Sequence, residues 1–144
     1  METAAMGRVV TEATIENLED LMLADRGLLP HEQVRRVQVS DALVDTGATL
    51  LAVPTRLIQQ LGLKKRYARK VTSTTGIGES TVYGTVRLTI QGRDCPADVM
   101  EVPDSVPVLI GQIPREYLDF VVDLRNQKLT GNPAHGGEHM FELF

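Results

Sequence analysis

The chain has 144 residues, with 15 Lys+Arg against 19 Asp+Glu, a formal net charge of -4 and 42% hydrophobic residues. That length fits one domain, able to bury ~68–70% of its unfolded surface without a disulfide or metal staple. Its single cysteine, Cys95, excludes an intramolecular disulfide and points to a reducing, cytoplasmic setting. The composition is that expected of an ordinary globule rather than of a fibrous, disordered or membrane protein, and no apolar run approaches the ~18–20 residues of a membrane span. Mild acidity argues against a general nucleic-acid or anionic-membrane binder, so neither is expected as a partner. Met1-Glu2-Thr3-Ala4-Ala5 lacks the basic-then-apolar order of a signal peptide. The expected domain is 8–144, preceded by a disordered N-terminus over 1–7.

Strand-like alternation dominates. Val9, Thr11, Ala13 and Ile15 share one face, and Val10, Glu12, Thr14 and Glu16 the other, which is the period of a half-buried strand. Asn17 to Asp20 and Ala24-Asp25-Arg26-Gly27 read as turns, and Pro30-His31 as a loop. Val37 and Val39 predict a strand, Ser40-Asp41 a turn, and Ala42-Leu43-Val44 a short buried strand running into Asp45. Pro54 stands where a helix opens and Gly62 where one closes, with Leu57, Ile58 and Leu61 on its apolar face. Val82, Val86, Leu88 and Ile90 then mark a strand, Gln91-Gly92 a hairpin turn, and Cys95, Ala97 and Val99 the return strand. Val108-Leu109-Ile110 is a short apolar strand that stops at Gly111, and a second brief helix runs from Pro114 to Phe120. Val121 to Leu124 and Lys128 to Thr130 flank a turn at Arg125-Asn126-Gln127.

Many short strands and two brief helices describe an all-β, barrel-like fold. Leu18 to Gln38 read as an extra hairpin on that barrel, with no assignable function. Phe141, Leu143 and Phe144 load the last residues with large apolar groups where a chain end is normally frayed and polar. These groups are expected to pack, into their own core or against another subunit.

The most informative stretch is Ala42-Leu43-Val44-Asp45-Thr46-Gly47-Ala48-Thr49. A buried strand delivers an aspartate onto a tight turn, and Val53-Pro54 opens a helix soon after. Asp, Thr and Gly are common turn residues, so the tripeptide gains its meaning from that context. With it, the chain resembles the retropepsin-like aspartic proteases, the clan of retroviral-type enzymes with one Asp-Thr-Gly loop per chain. Four pieces carry the resemblance in order: the Asp45-Thr46-Gly47-Ala48 loop, a Gly-rich hairpin tip at Thr75-Gly76-Ile77-Gly78-Glu79, the segment Val108-Leu109-Ile110-Gly111, and the helix after it. The family fold is a closed barrel, one lobe per chain. The implied activity is an aspartic endopeptidase without metal or other cofactor, acting on protein or peptide substrates.

Metal-free peptide hydrolysis needs an activated water, which two carboxylates sharing one proton can supply. No second Asp-Thr-Gly or Asp-Ser-Gly exists in this chain. The resemblance therefore implies a homodimer in which two copies of Asp45 meet across a two-fold axis. It also implies that Thr46 locks the two loops together, that Gly47 and Ala48 lie against substrate, and that Thr75, Gly76, Ile77 and Gly78 form a mobile flap over it. Thr49, Leu50 and Leu51 stand where viral members usually carry acidic residues, and Gln112 where they carry arginine. The viral ion-pair network near the dimer axis is therefore not expected here.

The sequence also admits other readings. A dimeric module of the same fold that grips peptides without cutting them is the alternative function. His135-Gly136-Gly137-Glu138-His139 matches a zinc-protease pattern, but two central glycines oppose the helix it needs; a Gly-rich turn before a last strand is the expectation. Asp45 to Thr49 echoes the loop of aspartyl-phosphate enzymes, yet the alternating helices of their sheet are missing. Gly76-Ile77-Gly78 lacks the third glycine of a dinucleotide loop. Lys64 to Lys70 place five basic residues in seven; a solvated loop ahead of the flap is expected there rather than a nucleic-acid patch.

Overall fold

A computed structural model describes residues 8–143. Met1 to Gly7, expected to be disordered, and Phe144, expected to pack, lie outside the described residues.

The strands β1 (Val10–Asn17), β2 (Arg36–Val44), β3 (Leu51–Pro54), β4 (Lys64–Ser73), β5 (Gly76–Ile90), β6 (Arg93–Val102) and β7 (Leu109–Ile110) form one sheet. Its order is β1-β2-β7-β3-β6-β5-β4, and β1 pairs again with β5. That pairing closes six strands into a barrel and leaves β4 attached to β5 alone. The expected all-β, retropepsin-like closed barrel is the fold observed. Strands β8 (Phe120–Asp123) and β9 (Lys128–Gly131) form a separate hairpin.

Alternation gives the core. Ile15, Leu51, Val53, Val86, Leu88, Val99 and Ile110 are fully buried, because every second side chain of a barrel strand points inward. Leu118, Phe120 and Leu129 join the same cluster, which seats the β8–β9 hairpin on the barrel. At the closure, Glu16 lies opposite Arg36 on one side and Arg87 on the other. Its buried carboxylate takes Arg36 Nε at 3.0 Å and Arg87 Nη2 at 2.8 Å. Burying a carboxylate is tolerable here because both oxygens accept charge-assisted bonds.

Local sequence readings fared unevenly. Gln91-Gly92 is the expected two-residue turn, with φ of 51° and 80° and Ile90 paired to Arg93. Asn17 to Asp20 is not a turn but the start of helix α1 (Leu18–Asp25), so Leu18 to Gln38 hold a helix rather than an extra hairpin. Asn17 caps α1: its Oδ1 accepts from Asp20 N at 3.0 Å, while Nδ2 donates to Leu61 O at 2.9 Å. Ser40-Asp41 is not a turn either. Strand β2 runs straight through, and these two residues oppose Glu12 alone, which is a β-bulge.

Helix α2 (Thr55–Leu61) ends as expected on Gly62, in the left-handed region. The basic run Lys64 to Lys70 is solvated but belongs to strand β4, not a loop. Helix α3 (Gln112–Tyr117) starts two residues before Pro114, and Phe120 belongs to β8 rather than to the helix.

Strand β7 decides how the Asp45 loop is held. It runs parallel to β2 and antiparallel to β3, so it lies between the two strands that the loop joins. Gly111 follows it directly beneath the loop. A Cβ there would come within 2.8 Å of Thr49 C and 2.9 Å of Ala48 O, and closer still to Leu50 O. All three are backbone atoms and cannot rotate away. Gly111→Ala should therefore cost about 1–3 kcal/mol through overpacking. Gly78→Ala, whose Cβ meets nothing within 4 Å, should stay within about 0.5 kcal/mol of the parent. Urea unfolding of the two variants checks the contrast, and equal stability would remove Gly111 from this role.

Candidate active site

Asp45 stands at the exit of β2, where three bonds fix the backbone that carries it. Leu43 N donates to Val108 O at 2.8 Å, Val44 N to Val9 O at 2.8 Å, and Asp45 N to Ile110 O at 3.0 Å. The loop then turns on itself: Ala48 N donates to Asp45 O at 3.1 Å, and Gly47 N to Asp45 Oδ1 at 2.9 Å. The second bond orients the carboxylate, and Oδ2 takes no hydrogen bond among the described residues. A Cβ on Gly47 would lie 3.3 Å from Asp45 Oδ1, so glycine lets the amide approach.

The far side of the loop is tied to α3. Gln112 N donates to Ala48 O at 2.8 Å and Ile113 N to Thr49 O at 3.0 Å. These bonds explain how the loop is held with Gln112 at a position where arginine is usual in viral members. The link runs through backbone, while the Gln112 amide donates to Glu116 Oε2 at 3.3 Å.

Asp45 and Ala48 are half-buried, whereas Thr46 and Gly47 are exposed. These four come together in one loop. Thr75, Gly76, Ile77 and Gly78 come together elsewhere, at the tip of the β4–β5 hairpin, where Ser73 pairs with Gly76 across a two-residue turn. Ile77 is 79% exposed. Among the described residues no hydrogen bond joins the two groups. Sequence reasoning missed the part played by Leu50 and by the Gln112 and Ile113 amides. The signal was backbone packing, which no side-chain motif encodes.

Cys95 is no rival nucleophile. It is 1% exposed, and burial pushes its thiol up to about 11, far from the thiolate that nucleophilic chemistry needs.

His135 and His139 do not share a metal site: among the described residues no group of three or more His, Cys, Asp or Glu side chains could hold one. Pro133–His135 is a 3-10 turn, Gly136 follows at φ 65°, and no strand comes after it among the described residues, so the expected last strand is absent. His135 instead bridges two carboxylates, with Nδ1 2.6 Å from Asp119 Oδ2 and Nε2 2.8 Å from Glu142 Oε2. Met140 N also donates to Asp119 Oδ2, at 3.1 Å. The cluster ties the C-terminal segment to the barrel. Its apolar groups nevertheless stay outside the protomer's own core: Met140 is 44%, Phe141 65% and Leu143 87% exposed.

Hydrogen bonding to Asp119, then to Glu142, raises the His135 pKa above 6.5, and the bond from His135 holds Asp119 down to about 2. The contribution of His135 is thus complete below its unfolded value and lost as pH rises through its folded one. That of Asp119 is complete above about 4 and lost as pH falls toward 2. Both act between about pH 4 and 6.5. The melting temperature lost in His135→Ala should be greatest in that window and shrink by about pH 9; a loss independent of pH would exclude the charged bridge.

Comparison with known proteins agrees with this geometry. No curated protein matches the chain. The aspartyl protease family model matches residues 33–112, which include the Asp45 loop, the β4–β5 hairpin and Gly111. The match covers more than half of the 144 residues, and the chain belongs to the aspartyl protease family.

Proposed function

We propose that two copies of this chain form a homodimeric aspartic endopeptidase, with Asp45 of each at the shared centre. The observation that carries this reading is a half-buried carboxylate set by the Gly47 amide at the exit of a buried strand, in a chain with one such loop. One carboxylate accepts a proton from water while its partner donates to the substrate carbonyl. Two such groups in contact share a proton and titrate as a pair, as the aspartic-protease dyad itself exemplifies. A lone Asp45 has no twin to do this with. The partner's Asp45 supplies it across a two-fold axis.

The remaining roles follow from position. Thr46 braces the two loops; its hydroxyl makes no hydrogen bond among the described residues of its own protomer, which leaves it available for the opposite loop. Gly47 and Ala48 line the peptide. Thr75, Gly76, Ile77 and Gly78 form the flap, and the exposed Ile77 covers the bound chain. Exposed Ile113 and Tyr117 on α3, with Phe141 edge-on to Tyr117 at 5.1 Å, offer apolar surface beside the loop for the second subunit.

Asp45→Asn should keep the fold and the dimer but lower peptide cleavage by about 10²–10⁴-fold or more. Circular dichroism, sedimentation and a diverse peptide library measure the three properties. Retained cleavage would end the mechanism, and a dimer inert even as wild type would favour the non-cutting peptide-binding module. Mixing also tests the sharing of the site. Equal amounts of wild type and Asp45→Asn, allowed to exchange subunits, should keep about one quarter of the wild-type activity, because only the unmixed pair has both carboxylates. About one half would mean that each protomer works alone.

A further inference from the structure

Two features of the sequence play no part in the proposed chemistry: the Leu18 to Gln38 segment and the basic run from Lys64 to Lys70. They meet at one place. Strand β5 pairs with β4 through Gly84 and with β1 from Val86 onward. At that change of neighbour a cleft of about 490 Å³ opens between α1 and β4. That volume suits a ligand of one or two side chains with their backbone.

Its walls are chemically divided. Leu18, Met22 and Leu23 of α1 give an apolar side, on which Met22 is 58% exposed. Arg26, Lys64 and Arg66 give a basic side. Lys64 is committed to Glu19, at 3.2 Å. Arg26 and Arg66 are exposed and have no acidic partner among the described residues. Asp98 lies beside the Arg66 stem at Gly84, and its Oδ1 accepts from the Thr85 hydroxyl at 3.1 Å. The stem of Arg66 lies flat over Gly84, where any Cβ would displace it.

We propose that this cleft is a docking site for an acidic peptide segment that presents an apolar side chain. Guanidinium groups that make no salt bridge among the described residues can pair with a carboxylate in a fork. The flexible Met22 thioether suits an apolar side chain of variable shape. A simple polyanion would use the cations but leave the apolar side uncovered. One wall of the site is α1, which precedes the family-matched residues 33–112, and the other is β4, which lies within them. Asp45 takes no part in it, so it stands apart from the peptidase reading.

The test uses the full chain carrying Asp45→Asn, so that binding is read without cleavage. The probe is a fluorescein-labelled decapeptide with central leucines flanked by glutamates, followed by anisotropy. Binding should weaken at least about 10-fold between about 0.05 and 0.5 M NaCl. It should weaken as much in the double variant R26E/R66E, and in Met22→Asp, each checked for fold by circular dichroism. The same decapeptide with glutamine for glutamate should not bind. Equal affinity for the glutamine peptide, or unchanged binding by R26E/R66E, would overturn the proposal. Tighter binding of a single-stranded RNA of matched length would overturn it in favour of nucleic acid.

Discussion

The placement of Asp45 depends on one close backbone contact. Strand β7 passes between the two strands that flank the loop, and Gly111 leaves room for the loop to lie on it. Without a side chain at that point, the Gln112 and Ile113 amides reach Ala48 O and Thr49 O. The aspartate is then held from both ends: by the ladder of β2 before it and by the start of α3 after it. A carboxylate on a loop is ordinarily free to wander. Here the loop inherits the rigidity of a barrel wall, which is what pre-organised chemistry requires.

Electrostatics repeats the same economy around the barrel. Glu16 is buried against Arg36 and Arg87 where the barrel closes. Asp20 takes Arg35 through both oxygens, at 2.8 and 3.0 Å, and this holds its carboxyl below the usual range. Asp119 takes His135. In each case a nearly buried carboxylate meets a cation from a neighbouring segment. Such pairs add little net stability once desolvation is counted, but breaking one leaves a charge stranded. Their effect is to fix which segments lie together.

Much of this was legible in the sequence where the signal is local. The Asp45 turn, the Gln91-Gly92 hairpin and the Gly62 helix stop each depend on a few adjacent residues whose conformational preferences are strong. The readings that failed involve competition between local and distant partners. Asn17 suits a turn and a helix cap equally well, and Leu61 O, 44 positions away, takes its second bond. Ser40-Asp41 has turn composition, yet pairing with β1 absorbs it as a bulge. Lys64 to Lys70 lack an apolar face because β4 sits outside the closed barrel. A strand without a core face carries no alternation to read.

Helix α1 and the C-terminal segment are joined to the molecule differently from the barrel strands. Residues 33–112 contain the loop, the hairpin and the glycine beneath the loop, all held by backbone bonding and core packing. Outside them, β1 pairs with β2 and β5 and core packing seats the β8–β9 hairpin, but helix α1 and the C-terminal segment are fastened differently. Helix α1 is joined through Asp20 to Arg35, whose guanidinium lies against Gly62 at the end of α2. The C-terminal segment is joined through His135 and through Arg93, which donates to Gly137 O as well as to Leu118 O and Asp119 O. Helix α1 has only a small cluster of its own, around Leu21, Ala24 and Val34. Apolar burial sets no direction, whereas a forked ion pair does. An added element with little core to share can therefore be held in one orientation by a single bidentate contact, and the surface between it and the barrel remains open as a cleft.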